Sequence, residues 1–250
     1  MSDLFSLAGR TALITGGSRG IGKMIAAGFI AQGAKVYISA RKEAACRATA
    51  EELGCVALPA DVSNLPGMDG LVAAYGEHEK TLDILVNNAG AAWLAPFDDF
   101  PEKGWDKVMD LNTKTPFYLT QKLSAQLRAA ASFERPAKVI NIASIDGIAV
   151  NPQETYPYAA SKAGLIHLTR RMAKTLIADN IVCSAIAPGA FASDMNIAAR
   201  DQAEAVAARV PARRIGTDED MAGAAIYLAS RAGDYVVGAT LTVDGGVAFC

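Results

Sequence analysis

Histidine is scarce. His78 and His167 are the two in 250 residues, and neither has other ligand types at metal-binding spacing. Four scattered cysteines, Cys46, Cys55, Cys183 and Cys250, form no C-x-x-C pair and no zinc pattern. The expectation is a protein without a metal centre, with free thiols in a reducing compartment. Charge of one sign is not in excess. The formal net charge is −2, which leaves no footprint for nucleic acid. No apolar run reaches membrane-spanning length. The N-terminal MSDLFSLAGR lacks the apolar core of a signal peptide. A soluble cytoplasmic protein with neither membrane nor nucleic-acid partner is expected. Linker-like stretches, composition shifts and repeats are also absent, so residues 1–250 read as one domain.

What is present is an alternation. Strand candidates are TALIT (11–15), KVYIS (35–39), CVALPA (55–60), LDILVN (82–87), KVINIAS (138–144), IVCSAIA (181–187) and TLTVD (240–244). Segments of helical period lie between them, at 21–32, 42–53, 64–79, 102–131, 158–179 and 218–230. Short β-rich runs alternating with helices imply a parallel sheet covered on both faces. The predicted fold is α/β: a single-domain, doubly wound Rossmann architecture with about seven strands.

The first strand ends in TGGSRGIG. A strand that feeds a helix through a glycine turn aims backbone N–H groups at a helix N-terminus, where a pyrophosphate is held well. Gly16 permits the tight turn, Gly20 a close approach to phosphate, and Gly22 close packing of the helix. An ordinary glycine-rich turn has the same look. The second strand ends VYISARK, with Ala40 where an NAD site places an acid for the ribose 2′-OH. Arg41, with Arg19 in the glycine turn, suits a 2′-phosphate. Otherwise Arg41 and Lys42 only solvate a helix start, although cations there oppose the helix dipole.

In YPYAASKAG, Tyr158 and Lys162 stand four apart, one helical turn from each other. A nearby ammonium favours phenolate, which makes tyrosine a usable acid or base. Tyr156 is the rival phenol, but Ala160 stands four residues beyond it. Ser144 ends the strand of INIASIDG and could reach the same substrate oxygen, or serve only to form a turn.

Taken together, these residues resemble a classical short-chain dehydrogenase/reductase over essentially the whole chain. The spacing of TGGSRGIG is similar to that family's nucleotide motif. Asp61 and Val62 resemble its adenine contact. NNAG at 87–90 resembles the cofactor-supporting stretch, Asn112 of MDLNT the catalytic asparagine, Pro188–Gly189 the turn beside nicotinamide, and VDGG at 243–246 the terminal strand. The resemblance implies four catalytic residues: Asn112, Ser144, Tyr158 and Lys162. Tyr158 exchanges a proton with the substrate oxygen. Lys162 lowers the Tyr158 pKa and binds the nicotinamide ribose. Ser144 donates a hydrogen bond, and Asn112 holds a water that links Lys162 to solvent. NADP(H) is the implied cofactor. It would be bound by Gly16, Ser18, Arg19, Gly20, Ile21, Gly22, Arg41, Asp61, Val62, Asn88, Ala89, Gly90, Tyr158, Lys162, Pro188, Gly189, Phe191 and Ser193. A homotetramer is implied, with a dimer as second choice, assembled through helices 102–131 and 158–179.

The substrate is expected to be a small carbonyl or alcohol compound. A loop at about 190–212, with segments 91–97 and 145–155, would line its site. Trp93, Leu94, Ile145, Ile148, Val150, Phe191, Met195 and Ile197 form an apolar inventory with little fixed charge, although half of it could be core. This favours an apolar ketone. The pattern is most similar to bacterial NADPH-dependent β-ketoacyl reductases of the rhamnolipid-associated branch. One departure is Asp179, at a helix end where carrier-dependent members commonly place a base. It argues against acyl carrier protein and for a CoA ester or free ketone. The alternatives are a secondary-alcohol or polyol dehydrogenase working in the oxidative direction, and a non-catalytic NADP-binding sensor.

Overall fold

The computed structural model describes residues 3–194 and 196–250, so Met195 of the apolar inventory lies outside the described residues. Seven strands form one parallel sheet: β1 (Thr11–Thr15), β2 (Lys35–Ser39), β3 (Val56–Ala57), β4 (Ile84–Asn87), β5 (Ala137–Ile142), β6 (Ile181–Pro188) and β7 (Thr240–Val243). Their order is β3-β2-β1-β4-β5-β6-β7. The direction of winding reverses between β1 and β4, so a crevice opens at the carboxyl ends of these two strands. The helices are α1 (Gly20–Ala31), α2 (Glu43–Leu53), α3 (Leu65–His78), α4 (Glu102–Met109), α5 (Thr115–Lys122), α6 (Ser124–Ala130), α7 (Tyr156–Leu176), α8 (Ile197–Asp201), α9 (Ala203–Ala207) and α10 (Asp218–Ala229).

Alternation along the strands splits the core into two layers. On one face Ala12, Ile14, Val36, Ile38, Ile84 and Val86 pack with Ile25 and Phe29 of α1 and Met221 and Leu228 of α10. On the other, Leu13, Tyr37, Leu85 and Val139 pack with Leu71 and Tyr75 of α3 and Leu119 of α5. Helix ends follow local chemistry. Asn64 caps α3 by accepting from Gly67 N at 2.9 Å, and Gly54, at φ 69°, closes α2. Thr217 and Asp220 form a capping box at α10.

Three predicted boundaries change. The strand expected at 55–60 is regular only at Val56–Ala57, although Leu58 N and Ala60 N still donate to Ile38 O and Ala40 O of the neighbouring chain segment. The helix expected at 158–179 begins two residues earlier, because Pro157 suits a first helical turn. The single helix expected at 102–131 is three helices, with a π-helical turn at Asp110–Lys114 between α4 and α5. Pro116 has no N–H to give the Asn112 carbonyl four residues back, which favours the wider turn there.

Lys138 of β5 is buried and donates to Asp234 at 2.6 Å. Burial lowers its pKa while Asp234 raises it. Removing the acid leaves a buried ammonium unpaired. Asp234→Ala should therefore cost about 3 kcal/mol, and Lys138→Met much less. Urea denaturation of both variants tests this, and equal losses would contradict it.

Candidate active site

The glycine turn after β1 is packed too closely for side chains. A Cβ on Gly22 would lie 2.3 Å from Gly16 O, and one on Gly16 would lie 2.7 Å from the Asn88 amide. Gly16 and Gly20 also have positive φ, 67° and 51°. Gly22 is thus required by the turn itself and by Asn88, not by packing of the helix on the sheet as the sequence suggested. Asn88 Nδ2 donates to Thr15 O at 2.8 Å and Gly16 O at 3.1 Å, pinning the turn to the end of β4. Ser18 O accepts from Thr49 of α2, and Ile21 packs on the core. The N-terminus of α1 has no side-chain cap and no acid in its first turn. Beside it, the buried Ser39 hydroxyl has no hydrogen-bond partner. Open helix N–H groups, a cradle that any Cβ would fill and an orphaned hydroxyl fit a dinucleotide.

The two expected phosphate readers diverge. Arg41 is exposed and makes no ion pair among the described residues. Arg19 instead pairs with Asp194, beyond β6, and this guanidinium holds the Asp194 carboxyl below the usual carboxylate range. Asp61 accepts from Ser63 N, and Val62 O accepts from Thr115. Ala89 N donates to Thr15 Oγ1 at 3.0 Å. Pro188 ends β6, Gly189 sits against Asp244, and Ser193 sits against Gly20. Phe191 is buried in the core against Gly216, so its ring does not line the site as expected.

The reacting groups meet at the carboxyl ends of β4 and β5 and the start of α7. Lys162 is buried, and its Nζ donates to Ile142 O at 2.7 Å and lies 5.5 Å from the Tyr158 ring centroid. Gly90 lies between Lys162 and Asn112. A Cβ there would be 3.2 Å from Asn112 Oδ1 and 3.8 Å from Lys162 Nζ. The Asn112 side chain is committed elsewhere: it accepts from Ala91 N at 2.8 Å and donates to Ala91 O at 2.9 Å and to Ser161 Oγ at 3.0 Å. Ser144 Oγ accepts from Asp146 N at 3.1 Å, and its hydroxyl is close enough to Tyr158 to pull the phenol pKa down. With one lone pair used by that N–H, the hydroxyl proton points toward the phenol oxygen or toward an oxygen placed beside it.

Burial dominates the electrostatics of the pair. Burial pushes the Tyr158 pKa up to about 12, Ser144 pulls it down, and Asp146 raises it further. Burial likewise drives the Lys162 pKa down to about 8, against a smaller upward pull from Asp146. At neutral pH Tyr158 is an acid holding its proton beside a cation close to losing one.

Several functional neighbours carried no sequence signal beyond adjacency. Ser161 ties Asn112 to α7. Gly147 lets the Ser144 segment lie on the helix, since a Cβ would be 2.6 Å from Lys162 C. Glu154 accepts from Phe97 N at 3.2 Å and from Tyr156 Oη at 2.8 Å, which joins the two walls of the cleft. Tyr156 is thus a wall residue. Leu94, Phe97, Ile148, Val150 and Ile197 are exposed around the mouth, while Trp93 packs on Gly104. Asp179 lies roughly 30 Å along the helix from Tyr158. It pairs with Arg128 at 2.8 Å, so the sequence-based argument against a carrier protein loses its free acid. Both histidines are exposed, and no metal-ligand cluster occurs among the described residues.

Comparison with known proteins gives this arrangement a lineage. A family model described as enoyl-(acyl carrier protein) reductase matches residues 16–248. The chain belongs to the short-chain dehydrogenase/reductase family. It is 48% identical to a rhamnolipids biosynthesis 3-oxoacyl-[acyl-carrier-protein] reductase of Pseudomonas aeruginosa, over 98% of this chain and 99% of that one. It is 38% identical to a 5-keto-D-gluconate 5-reductase of Escherichia coli, over 99% and 98%. A solved structure, the Pseudomonas aeruginosa RhlG/NADP active-site complex, superposes with a TM-score of 0.96 at 47% identity, covering all of both chains. As a member of this family the protein is an oxidoreductase.

Two outcomes follow from the geometry. Tyr158→Phe should lower turnover at least ~10²-fold with cofactor binding kept; near-normal turnover contradicts the role of the phenol. In the pH profile of kcat/KM for reduction, activity should hold below about pH 8 and fall above it as Lys162 loses its charge. Lys162→Met should be slower and lack that limb, and an unchanged limb would assign it to another group.

Proposed function

We propose that this protein is an NADPH-dependent reductase that converts an apolar ketone, foremost a 3-oxoacyl thioester, to a secondary alcohol. The observation that carries this reading is the grouping of Tyr158, Ser144 and the buried Lys162, whose Nζ lies 5.5 Å from the Tyr158 ring centroid, with the phenol holding its proton. When bound, the cofactor supplies hydride. Tyr158 gives its proton to the developing alkoxide, Ser144 donates to the same oxygen, and Lys162 places positive charge beneath the phenol. Two donors on a single oxygen suit C=O reduction better than reduction of the C=C bond named in the family model's description. Ala40 and the unpaired Arg41 support NADPH over NADH, and the NADP bound in the RhlG structure agrees.

The exposed apolar rim of Leu94, Phe97, Ile148, Val150 and Ile197 supports a substrate with a hydrocarbon body. The loop at about 190–212, which contains α8 and α9, is proposed as the substrate loop of a single catalytic domain, and the relative named as a 3-oxoacyl-[acyl-carrier-protein] reductase agrees. A second reading, oxidation or reduction of a polyol or sugar acid, draws on the keto-gluconate reductase relative and on Asp146 and Glu154 near the cleft. A homotetramer is proposed, ahead of a dimer, on the exposure of Trp105 on α4 and Phe117 on α5. Free thiols fit a reducing, cytoplasmic setting.

A panel of 3-oxo esters, 3-oxoacyl thioesters and keto-sugar acids, followed by NADPH consumption, tests the substrate. Each buried methylene is worth up to ~0.8 kcal/mol, so kcat/KM should rise with acyl length until the cleft is full. A flat profile with strong activity on a keto-sugar acid would favour the second reading. Arg41→Ala should weaken NADPH roughly ten- to a hundredfold and leave NADH nearly unchanged; equal loss of both would assign Arg41 to the fold.

A further inference from the structure

Arg19 stands in the glycine turn before α1, and Asp194 stands between β6 and α8. Their ion pair therefore joins the dinucleotide side of the site to the substrate side. A second contact runs beside it, because Gly20 faces Ser193, whose Cβ is 3.1 Å from where a Gly20 Cβ would be. Ser193 Oγ in turn accepts from Asn196 N at 3.1 Å, and Asn196 caps α8 by accepting from Ala199 N. The substrate-side segment thus rests on the turn that would cradle the phosphates. Asp194 has a second cation, Arg200, at 2.8 Å.

We propose that Asp194 is a specificity-determining residue for the cofactor: it competes with the 2′-phosphate for Arg19, so a phosphate-bearing cofactor draws Arg19 off the substrate-side segment. The inference rests on the reading of Arg41 and Arg19 as 2′-phosphate ligands. Two anions converging on one guanidinium repel each other, so a phosphate and the Asp194 carboxylate do not both gain fully from it. The exchange is inexpensive, because Arg200 stays on Asp194 when Arg19 turns away, and no charge is left bare. The Arg19 and Asp194 side chains are 67% and 46% exposed, which makes the pair weak enough for a dianion to displace. An NADH molecule has no 2′-phosphate and gains nothing from breaking it. Through this pair, the resting position of the substrate-side segment depends on which cofactor is bound.

Fluorescence titration of NADPH and NADH with the wild type, Asp194→Asn, Arg19→Ala and the double variant tests the proposal. Asp194→Asn should tighten NADPH by about two- to fivefold, the range of an exposed ion pair, with NADH unchanged. The gain should vanish in the Arg19→Ala background and shrink in high salt. An NADPH affinity that falls or stays the same, a shift shared by both cofactors, or a gain that survives without Arg19 would each overturn the role of Asp194. Equal affinity of the wild type for NADPH and NADH, with no response to Arg41→Ala, would overturn the 2′-phosphate reading beneath it.

Discussion

The 2.7 Å bond from Lys162 Nζ to the Ile142 carbonyl is the constraint around which the site is built. It places an ammonium group in a dry location at the end of β5, where burial pulls its pKa down to about 8 against a smaller upward pull from Asp146. Everything nearby accommodates that burial. Gly147 must lack a side chain for the Ser144 segment to lie on the helix at Lys162, and one on Gly90 would crowd the Asn112 amide at 3.2 Å. Asn112 is fixed at both ends, by the Ala91 backbone and by Ser161 one residue before the lysine. A buried charge held by few partners is costly, and the surrounding polar framework sets its position.

The same dryness decides the state of the phenol. Tyr158 is raised to about 12 because burial outweighs the Ser144 hydrogen bond. The sequence places a cation four residues away, and burial is the larger influence on the phenol. The cation is present, 5.5 Å from the ring centroid, with its own pKa lowered to about 8 by desolvation. A tyrosine of this kind is a proton donor at neutral pH, which suits reduction. Use of the same group as a base would require charge brought in by the cofactor or an alkaline medium.

Much of the fold was legible because its signals are local. Period-two and period-3.6 patterns located the strands, the helices bridging them and the glycine turn, and the Y-x-x-x-K spacing placed the acid and the lysine on one helical face. What escaped depends on contacts between distant segments. The π-helical turn at Asp110–Lys114 follows from Pro116 and from the anchoring of Asn112, neither of which disturbs the apolar period. Arg19 reads as a phosphate ligand by position, but nothing local shows that it also pairs with Asp194, 175 residues away. Phe191 reads as a lining side chain, but its ring is buried against Gly216, which leaves room for it. Asp179 seemed relevant to a docking partner only while the length of α7 and the partner Arg128 were unseen.

The central claim is that the free enzyme holds Tyr158 protonated. The direct measurement is a pH titration of the ring carbon bearing the hydroxyl, by NMR of the ¹³C-tyrosine-labelled protein, with Tyr158→Phe identifying the resonance. The Tyr158 signal is predicted to keep its phenol shift past the ordinary tyrosine value of about 10, after the exposed tyrosines of the chain have titrated. A Tyr158 midpoint well below that value would contradict the account, because it would make the lysine, and not burial, the dominant influence on the phenol.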